Sequence, residues 1–191
     1  MGAAEDLKNF HFASNQELEQ AKDPDWGGET LRSIPLFSKF KFDELRDLYK
    51  VGDIITLSPK AHAVIEGEPT YGMYIVLFGA VSVYKTDPTT SSMIRIALMS
   101  EGAHFGELSL FDRAVRSATV SAESLCHLFY LSAESFDRFL KDHPSDLALR
   151  FYKTCATELA ARIRNLNTDY ISSQQLLWKY ALRKNDEDDE A

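Results

Sequence analysis

Short apolar runs separated by turn residues dominate the middle of the chain. They lie between Val51 and Leu131, are rich in Val, Ile, Tyr and Phe, and are punctuated by glycine and proline. Runs of this composition predict strands, and their close spacing predicts a sandwich or small barrel of about seven or eight strands. The runs are VGDIITL, HAVIEG, YGMYIVLF, AVSVYK, MIRIALM, ATVSAES and LCHLFYL.

Helical spacing of apolar residues replaces this pattern on both sides of the predicted strands. On the N-terminal side, the stretch IPLFSKFKFDELRDLYK predicts two short helical pieces, the first opened by Pro35. On the C-terminal side, Ser132 is a predicted N-cap that precedes apolar residues on one helical face. Pro144 then opens a segment that has no glycine or proline as far as Leu182, which predicts one long helix.

The predicted long helix carries apolar residues at heptad spacing. One set of positions holds Leu149, Ala156, Ile163, Tyr170 and Leu177, and the other holds Tyr152, Leu159, Leu166, Ser173 and Tyr180. Such a helix spans roughly 55 to 60 Å, whereas a compact domain of this size is about 30 to 35 Å across. Part of the apolar stripe therefore extends beyond the barrel. This favours a homodimer through a parallel coiled coil over the alternative that the stripe lies along its own barrel.

Changes in composition divide the chain into four parts. Residues 1–28 are polar and end in DPDWGG, a turn-rich stretch that predicts a boundary after an N-terminal accessory arm. Residues 29–143 hold the predicted strands with their flanking helices. Residues 144–184 form the long helix, and residues 185–191 form an acidic tail that we expect to be solvated.

Charge and hydropathy argue against several classes of protein. The formal net charge is -8 and no basic cluster is present, so we predict no nucleic-acid partner. The longest apolar run, Met73 to Val81, is half the roughly 20 residues that a membrane-spanning helix needs, and the N-terminus lacks a secretion signal. Cys126 and Cys155 have no CxxC partner, so we expect neither a disulfide framework nor a zinc site. A cytoplasmic protein with no membrane partner is predicted.

One stretch, FGELSLFDRAVRSATV, gathers candidate binding chemistry within apolar surroundings. Gly106 allows close approach of the backbone, and the residues after it predict a turn of helix whose free N–H groups form an anion site. Arg116 follows the carboxylate of Glu107 by nine positions. Because a buried arginine is costly without a partner, it needs a carboxylate or a phosphate oxygen. The partner is either Glu107 or a ligand.

This stretch resembles the phosphate-binding cassette of the cyclic nucleotide-binding domain family. The matching residues are Gly106-Glu107-Leu108, Leu110 and Arg116 to Val120, and Val115 departs from the proline or glycine that many members have there. The family includes bacterial catabolite activators, regulatory subunits of cyclic AMP-dependent kinase and cyclic nucleotide-gated channels. The resemblance covers roughly residues 31–170. It implies an α+β fold, namely an eight-stranded, jelly-roll-like β-roll flanked by short N-terminal helices and a long C-terminal helix.

The resemblance also implies a ligand, cyclic AMP or cyclic GMP, and no cofactor. Glu107 would accept a hydrogen bond from the ribose 2′-hydroxyl, and Arg116 would neutralise the cyclic phosphate. Ser117 follows this arginine, as a serine does in catabolite activators, and this favours cyclic AMP as the ligand. The implied binding residues are Phe105, Gly106, Glu107, Leu108, Ser109, Arg116, Ser117 and Ala118 in the cassette, together with Asn165, Asn167 and Thr168 on the long helix, which would act as a lid.

A stand-alone sensor is the function that these features predict, with signalling to a protein effector through movement of the long helix. We predict no enzyme activity, because no catalytic triad, Walker loop or Rossmann fingerprint occurs. One alternative is a dimeric scaffold that has kept the fold and lost the ligand. Another is a cupin-type metalloenzyme, which is disfavoured because the five histidines contain no HxH pair.

Overall fold

The structure, a computed structural model, describes residues 15–189, with the side chains of residues 15, 176, 177 and 180–189 left out. Its helices are α1 (Asn15–Ala21), α2 (Pro24–Arg32), α3 (Phe42–Lys50), α4 (Ala133–Asp142) and α5 (Ser145–Asp189), with short 3-10 helices at Pro35–Phe37 and Glu107–Leu110. Its strands are β1 (Asp53–Leu57), β2 (His62–Val64), β3 (Gly72–Phe78), β4 (Ala80–Thr86), β5 (Met93–Ser100), β6 (His104–Phe105), β7 (Thr119–Ala122) and β8 (Cys126–Ser132).

The eight strands form two antiparallel sheets, which confirms the predicted fold class. One sheet has the order β1-β8-β3-β6 and the other the order β2-β7-β4-β5. Seven strands coincide with the apolar runs of the sequence. The remaining strand, β6, has only two residues, so it is too short to produce an alternating pattern.

Strand β3 explains how one β-roll supports two hydrophobic cores. All seven of its residues are buried. Met73 and Ile75 belong to a core shared with the helices, whereas Tyr74 and Val76 belong to a core shared with the opposite sheet. Because successive side chains of a strand point to opposite faces, a strand covered on both sides reads as a continuous apolar run.

Aromatic side chains join the N-terminal helical segment to α5. Phe37 and Phe40 contact Phe151 of α5, with ring centroids 6.1 and 6.0 Å apart respectively. Next to this cluster, Arg150 donates to both carboxylate oxygens of Glu44 at 3.0 and 2.6 Å. Burial opposes the charge of Glu44, but the hydrogen bonds from Arg150 and the Lys41 backbone outweigh burial and lower the pKa of Glu44. The base of α5 is thus fixed to α3.

The described N-terminal residues pack onto the domain. The stretch DPDWGG, which the sequence suggested to be a turn at the predicted boundary, is helical, because α2 begins at Pro24 and includes both of its glycines. Asp23 caps α2 by accepting from the Asp25 N–H, and Pro24 suits the first helical turn. Trp26 stacks on Phe78 of β3 at 5.4 Å between ring centroids. Residues 1–14 of the predicted accessory arm lie outside the described residues.

Helix α5 continues beyond the predicted end at Leu182, to Asp189. Its first turns are buried through Leu147, Phe151 and Cys155, whereas the residues that follow Leu159 face outwards on nearly every side. Residues 190 and 191 and the side chains of the predicted acidic tail lie outside the described residues. Within the described range, no helix combines the length and apolar character that crossing a membrane requires.

Candidate functional site

A cavity of about 460 Å³ opens beside the cassette. Its apolar wall includes Val64 and Val83 of the second sheet and Met99 of β5. Its polar groups include the side chains of Glu107, Arg116 and Arg162. A largely apolar cavity with a few convergent polar groups is typical of a small-molecule site.

Gly106 is the turning point of the cassette. It lies between β6 and the 3-10 helix Glu107–Leu110 with φ of 76°, a left-handed conformation that favours glycine. A Cβ atom there would lie 2.5 Å from Arg116 Nη1 and 2.9 Å from the Gly72 carbonyl oxygen. Glycine is therefore required for the backbone conformation and for the close approach of Arg116. The N–H groups of Glu107 and Leu108 begin this short helix, where backbone donors have no partner inside the helix.

Arg116 is held from several sides and is only 5% exposed. Its Nε donates to Thr70 Oγ1 at 2.9 Å, and its Nη1 donates to Ser109 Oγ at 2.9 Å and to the Gly106 carbonyl at 3.3 Å. The guanidinium carbon lies 5.6 Å from the centroid of the Tyr74 ring. Nη2 is buried and has no hydrogen-bond partner among the described residues. One donor group of a fixed guanidinium is thus left over.

The charge of Arg116 has no salt-bridge partner in the described part of the chain. Burial lowers the pKa of Arg116, and this effect is opposed by the nearby Tyr74 and Tyr130 and by the carboxylate of Glu107. An unpaired buried cation is unfavourable in a protein interior. An anion bound beside Arg116 would remove this cost.

Glu107 does not pair with Arg116. Instead, its Oε1 accepts a hydrogen bond from Nη1 of Arg162 on α5 at 3.1 Å. The side chain of Glu107 is 17% exposed and that of Arg162 is 63% exposed. Of the two partners that the sequence left open for Arg116, the structure therefore does not use Glu107, and this carboxylate connects the cassette to α5.

The loop that carries Arg116 is fixed to the loop between β2 and β3. The Arg116 N–H donates to the Glu68 carbonyl at 3.0 Å, and the Gly67 N–H donates to the Arg116 carbonyl at 2.8 Å. Lys85 donates to the Ser117 carbonyl at 2.6 Å and also pairs with Glu66. Hydrogen bonds from Lys85 and Thr86 lower the pKa of Glu66 to about 2.

The structure brings the predicted cassette residues together and leaves the predicted lid residues apart. All eight cassette residues line the cavity: Phe105, Gly106, Glu107, Leu108, Ser109, Arg116, Ser117 and Ala118. Asn165, Asn167 and Thr168 are exposed on α5 and are not among the lining residues, so their role as a lid stays a prediction. Arg162, one turn earlier, was missed because a lone arginine on an exposed helical stretch carries no sequence signal.

The described residues contain no group of three or more His, Cys, Asp or Glu side chains that is placed to hold a metal ion. His104, Glu107 and Asp112 line the cavity, but they are not grouped so that they could hold a metal ion together. Structural zinc sites have four protein ligands, and catalytic sites have three. The geometry gives the cupin-type alternative no support.

Residues 55–143 match the family model described as the cyclic nucleotide-binding domain. The chain is similar to this family over that range. The chain is 27% identical over 136 residues to the mouse potassium/sodium hyperpolarization-activated cyclic nucleotide-gated channel 2, a match that covers 71% of this chain and 15% of the channel. The chain therefore spans only a small part of the length of that relative.

Solved structures of bacterial regulators share the fold of the domain. The N-terminal domain of a transcriptional regulator from Streptomyces coelicolor A3(2) is 27% identical, with a TM-score of 0.65 over 70% of this chain and 94% of that one. The catabolite activator protein of Thermus thermophilus is 25% identical, with a TM-score of 0.62 over 72% of this chain and 63% of that one. The predicted resemblance to catabolite activators and to cyclic nucleotide-gated channels is confirmed.

Proposed function

We propose that this protein is a sensor that binds a cyclic nucleotide, cyclic AMP in preference to cyclic GMP, and reports occupancy through α5. The observation that carries the proposal is Arg116, a fixed and buried cation with no salt-bridge partner and with one unused donor nitrogen among the described residues. A cyclic phosphate is an anion that can accept charge-assisted hydrogen bonds from a guanidinium. The role is binding and not catalysis.

The rest of the cavity matches the other parts of such a ligand. The carboxylate of Glu107 lies at the same cavity and can accept a hydrogen bond from a ribose hydroxyl. The aliphatic wall that includes Val64, Val83 and Met99 offers a dry surface to a flat base. Anion, hydroxyl and apolar ring are features that a cyclic nucleotide combines in one molecule.

Helix α5 is the proposed route of the signal. In this structure Arg162 donates a hydrogen bond to Glu107. A ribose hydroxyl that binds Glu107 would therefore compete with Arg162. A ligand that makes different contacts in two arrangements of α5 shifts the balance between them. In the bound arrangement, we propose that Asn165, Asn167 and Thr168 approach the base.

We further propose that α5 pairs with α5 of a second copy and that the dimer acts on a protein effector in the cytoplasm. Among the described side chains, the heptad positions Leu149, Ile163, Leu166 and Tyr170 are between 57% and 69% exposed. Large apolar side chains at heptad spacing on a free helix favour coiled-coil pairing. Cys126 and Cys155 are both free thiols, which suits a reducing compartment.

Calorimetric titration of the purified protein with cyclic AMP and with cyclic GMP tests the proposal. We expect saturable binding of one nucleotide per chain, with cyclic AMP the tighter ligand, and 5′-AMP as a control for the cyclic phosphate. The purified protein must first be shown to be free of bound nucleotide. If it then binds neither cyclic nucleotide, the dimeric scaffold is the better explanation. Stoichiometric iron, manganese or zinc in the same preparation would favour the metalloenzyme.

A further inference from the structure

The guanidinium of Arg116 is oriented by hydroxyl groups and not by a carboxylate. Thr70 Oγ1 accepts from Nε and Ser109 Oγ accepts from Nη1, both at 2.9 Å. We propose that Thr70 and Ser109 are positioning residues that orient Arg116 for an anionic ligand while leaving its charge unneutralised. The inference rests on the proposed function, because these two hydroxyls would orient Arg116 for its contact with the cyclic phosphate.

A hydroxyl partner has a different electrostatic consequence from a carboxylate partner. Either group accepts a hydrogen bond from the guanidinium and so restricts its orientation. A carboxylate would also cancel the charge of Arg116 and compete with the phosphate of the ligand for the same donors. Thr70 and Ser109 keep the guanidinium in place, and its positive charge stays available to the ligand.

The hydrogen bonds of Ser109 leave it no capacity for a ligand. A serine hydroxyl has one donor hydrogen and two acceptor lone pairs. The oxygen accepts from Arg116 Nη1 and from the Gly72 N–H at 3.0 Å, and the hydroxyl donates to the Gly106 carbonyl at 2.8 Å. Ser109 is also only 5% exposed. Ser109 therefore supports Arg116 and does not bind the nucleotide through its hydroxyl.

Thr70, unlike Ser109, does not line the cavity, so a Thr70 variant tests the positioning of Arg116 without changing the cavity wall. Its hydroxyl accepts a hydrogen bond from Arg116 Nε. The loop that carries it is itself fixed, since the carbonyl of the next residue, Tyr71, accepts from Tyr130 Oη at 3.1 Å and from the Ala133 N–H at 3.3 Å. The threonine oxygen is thus held at a defined position next to Nε.

Measurement of cyclic AMP affinity and melting temperature for a series of Thr70 variants tests this inference. Thr70→Val removes the hydroxyl and keeps the shape, and we expect affinity to fall about tenfold, because a hydrogen bond to a charged group contributes about 1.5 kcal/mol or more. Thr70→Ser keeps the hydroxyl and should bind within about threefold of the unmodified protein. Thr56→Val is the matched control, since it removes a hydroxyl bonded to His127 and neither residue lines the cavity, and its affinity should not change.

A double-mutant cycle separates positioning from general structural damage. Lysine at position 116 has no Nε–H for Thr70, so Thr70→Val in an Arg116→Lys background should change affinity less than about twofold. If Thr70→Val fails to fold, the pair Thr70→Ala and Thr70→Ser supplies the same one-hydroxyl comparison. Equal affinity of Thr70→Val and the unmodified protein, or an equal loss in both backgrounds, overturns the positioning role while the proposed function stands. Absence of any cyclic nucleotide binding by the unmodified protein overturns both.

Discussion

At the scale of single residues, Arg116 makes the most direct prediction. Arg116→Ala removes a charge-assisted contact in a sheltered site, a loss of about 2 to 5 kcal/mol that corresponds to at least thirtyfold weaker binding of cyclic AMP. Arg113→Ala is the matched control, because Arg113 is an exposed arginine of the same loop that pairs with Asp137 outside the cavity. Calorimetric titration of both variants checks this expectation.

Stability separates this expectation from its alternative. Glu107 is bonded to Arg162 and not to Arg116, so Arg116→Ala leaves no carboxylate stranded, and its melting temperature should fall only modestly, through the hydrogen bonds lost to Thr70, Ser109 and the Gly106 carbonyl. Glu107→Gln keeps an acceptor for a ribose hydroxyl and should weaken binding less than Arg116→Ala does. A large loss of stability in Arg116→Ala, with no nucleotide bound by the unmodified protein, would identify Arg116 as a purely structural residue.

Gly106 gives a second prediction at this scale. Gly106→Ala and Gly102→Ala each place a Cβ on a left-handed residue, with φ of 76° and 80°, and each should destabilise the fold by about 1 to 2 kcal/mol. Only at Gly106 does the added atom meet Arg116 Nη1, whereas nothing lies within 4 Å at Gly102. Because this close approach adds to the backbone strain at Gly106, we expect the larger loss of melting temperature, together with a loss of cyclic AMP affinity, in Gly106→Ala, and unchanged affinity in Gly102→Ala. Equal affinities of the two variants would contradict the close approach.

At the scale of elements, α5 consists of a fixed base and an exposed remainder. Phe151 is fully buried, and Arg150 is bonded to Glu44. Beyond Leu159, the only described side-chain hydrogen bond from α5 to the cassette is that of Arg162 to Glu107. Backbone amides with few buried neighbours open at low cost, so exchange with solvent should be faster in the second region.

This difference predicts where a ligand changes α5. If a nucleotide brings the helix over the base, hydrogen exchange of residues 160–170 should slow on addition of cyclic AMP, and residues 147–155 serve as an internal control that changes little. Exchange measured by mass spectrometry at saturating ligand resolves the two segments. Unchanged exchange in residues 160–170 would mean that the cavity binds its ligand without recruiting α5.

At the scale of the whole molecule, the exposed heptad stripe predicts a homodimer at micromolar concentration. Ile163 and Leu166 are 57% and 58% exposed in the single chain, and burying two such rows against each other is what stabilises a coiled coil. The double variant Ile163→Glu with Leu166→Glu places like charges in the stripe and should be monomeric with an intact β-roll. Sedimentation velocity gives the mass, and circular dichroism gives the fold.

Ile171 supplies the control for the dimer. It is 56% exposed on the same helix and lies outside both sets of heptad positions. Ile171→Glu should therefore leave the dimer intact. An unmodified protein that already sediments as a monomer, or a dimer lost equally in Ile171→Glu, would contradict pairing through the stripe.

Sequence patterns predicted a sandwich or small barrel and seven of its eight strands, and the resemblance to the family implied the β-roll and the cassette residues, which the structure brings to one cavity. The strands follow from short-range patterns of apolar runs, and the resemblance rests on a glycine, a carboxylate and an arginine within eleven positions. Strand β6 was missed because two residues carry no period, and α2 because proline, glycine and aspartate also occur in turns. The burial of Gly27 against the Tyr49 ring, which keeps this stretch helical, is a contact between distant positions.

Only the tertiary structure decided which groups surround the two charged residues of the cassette. The partners of Arg116 and Glu107 include Thr70 and Arg162, which are 46 and 55 positions away along the chain. Hydroxyl and guanidinium groups are common on any surface, so their types carry no signal until the fold places them within 3.1 Å of their partners. Spacing along the chain specifies what lies within one element. Which elements meet, and which buried charge is left unpaired, depends on packing over the whole β-roll.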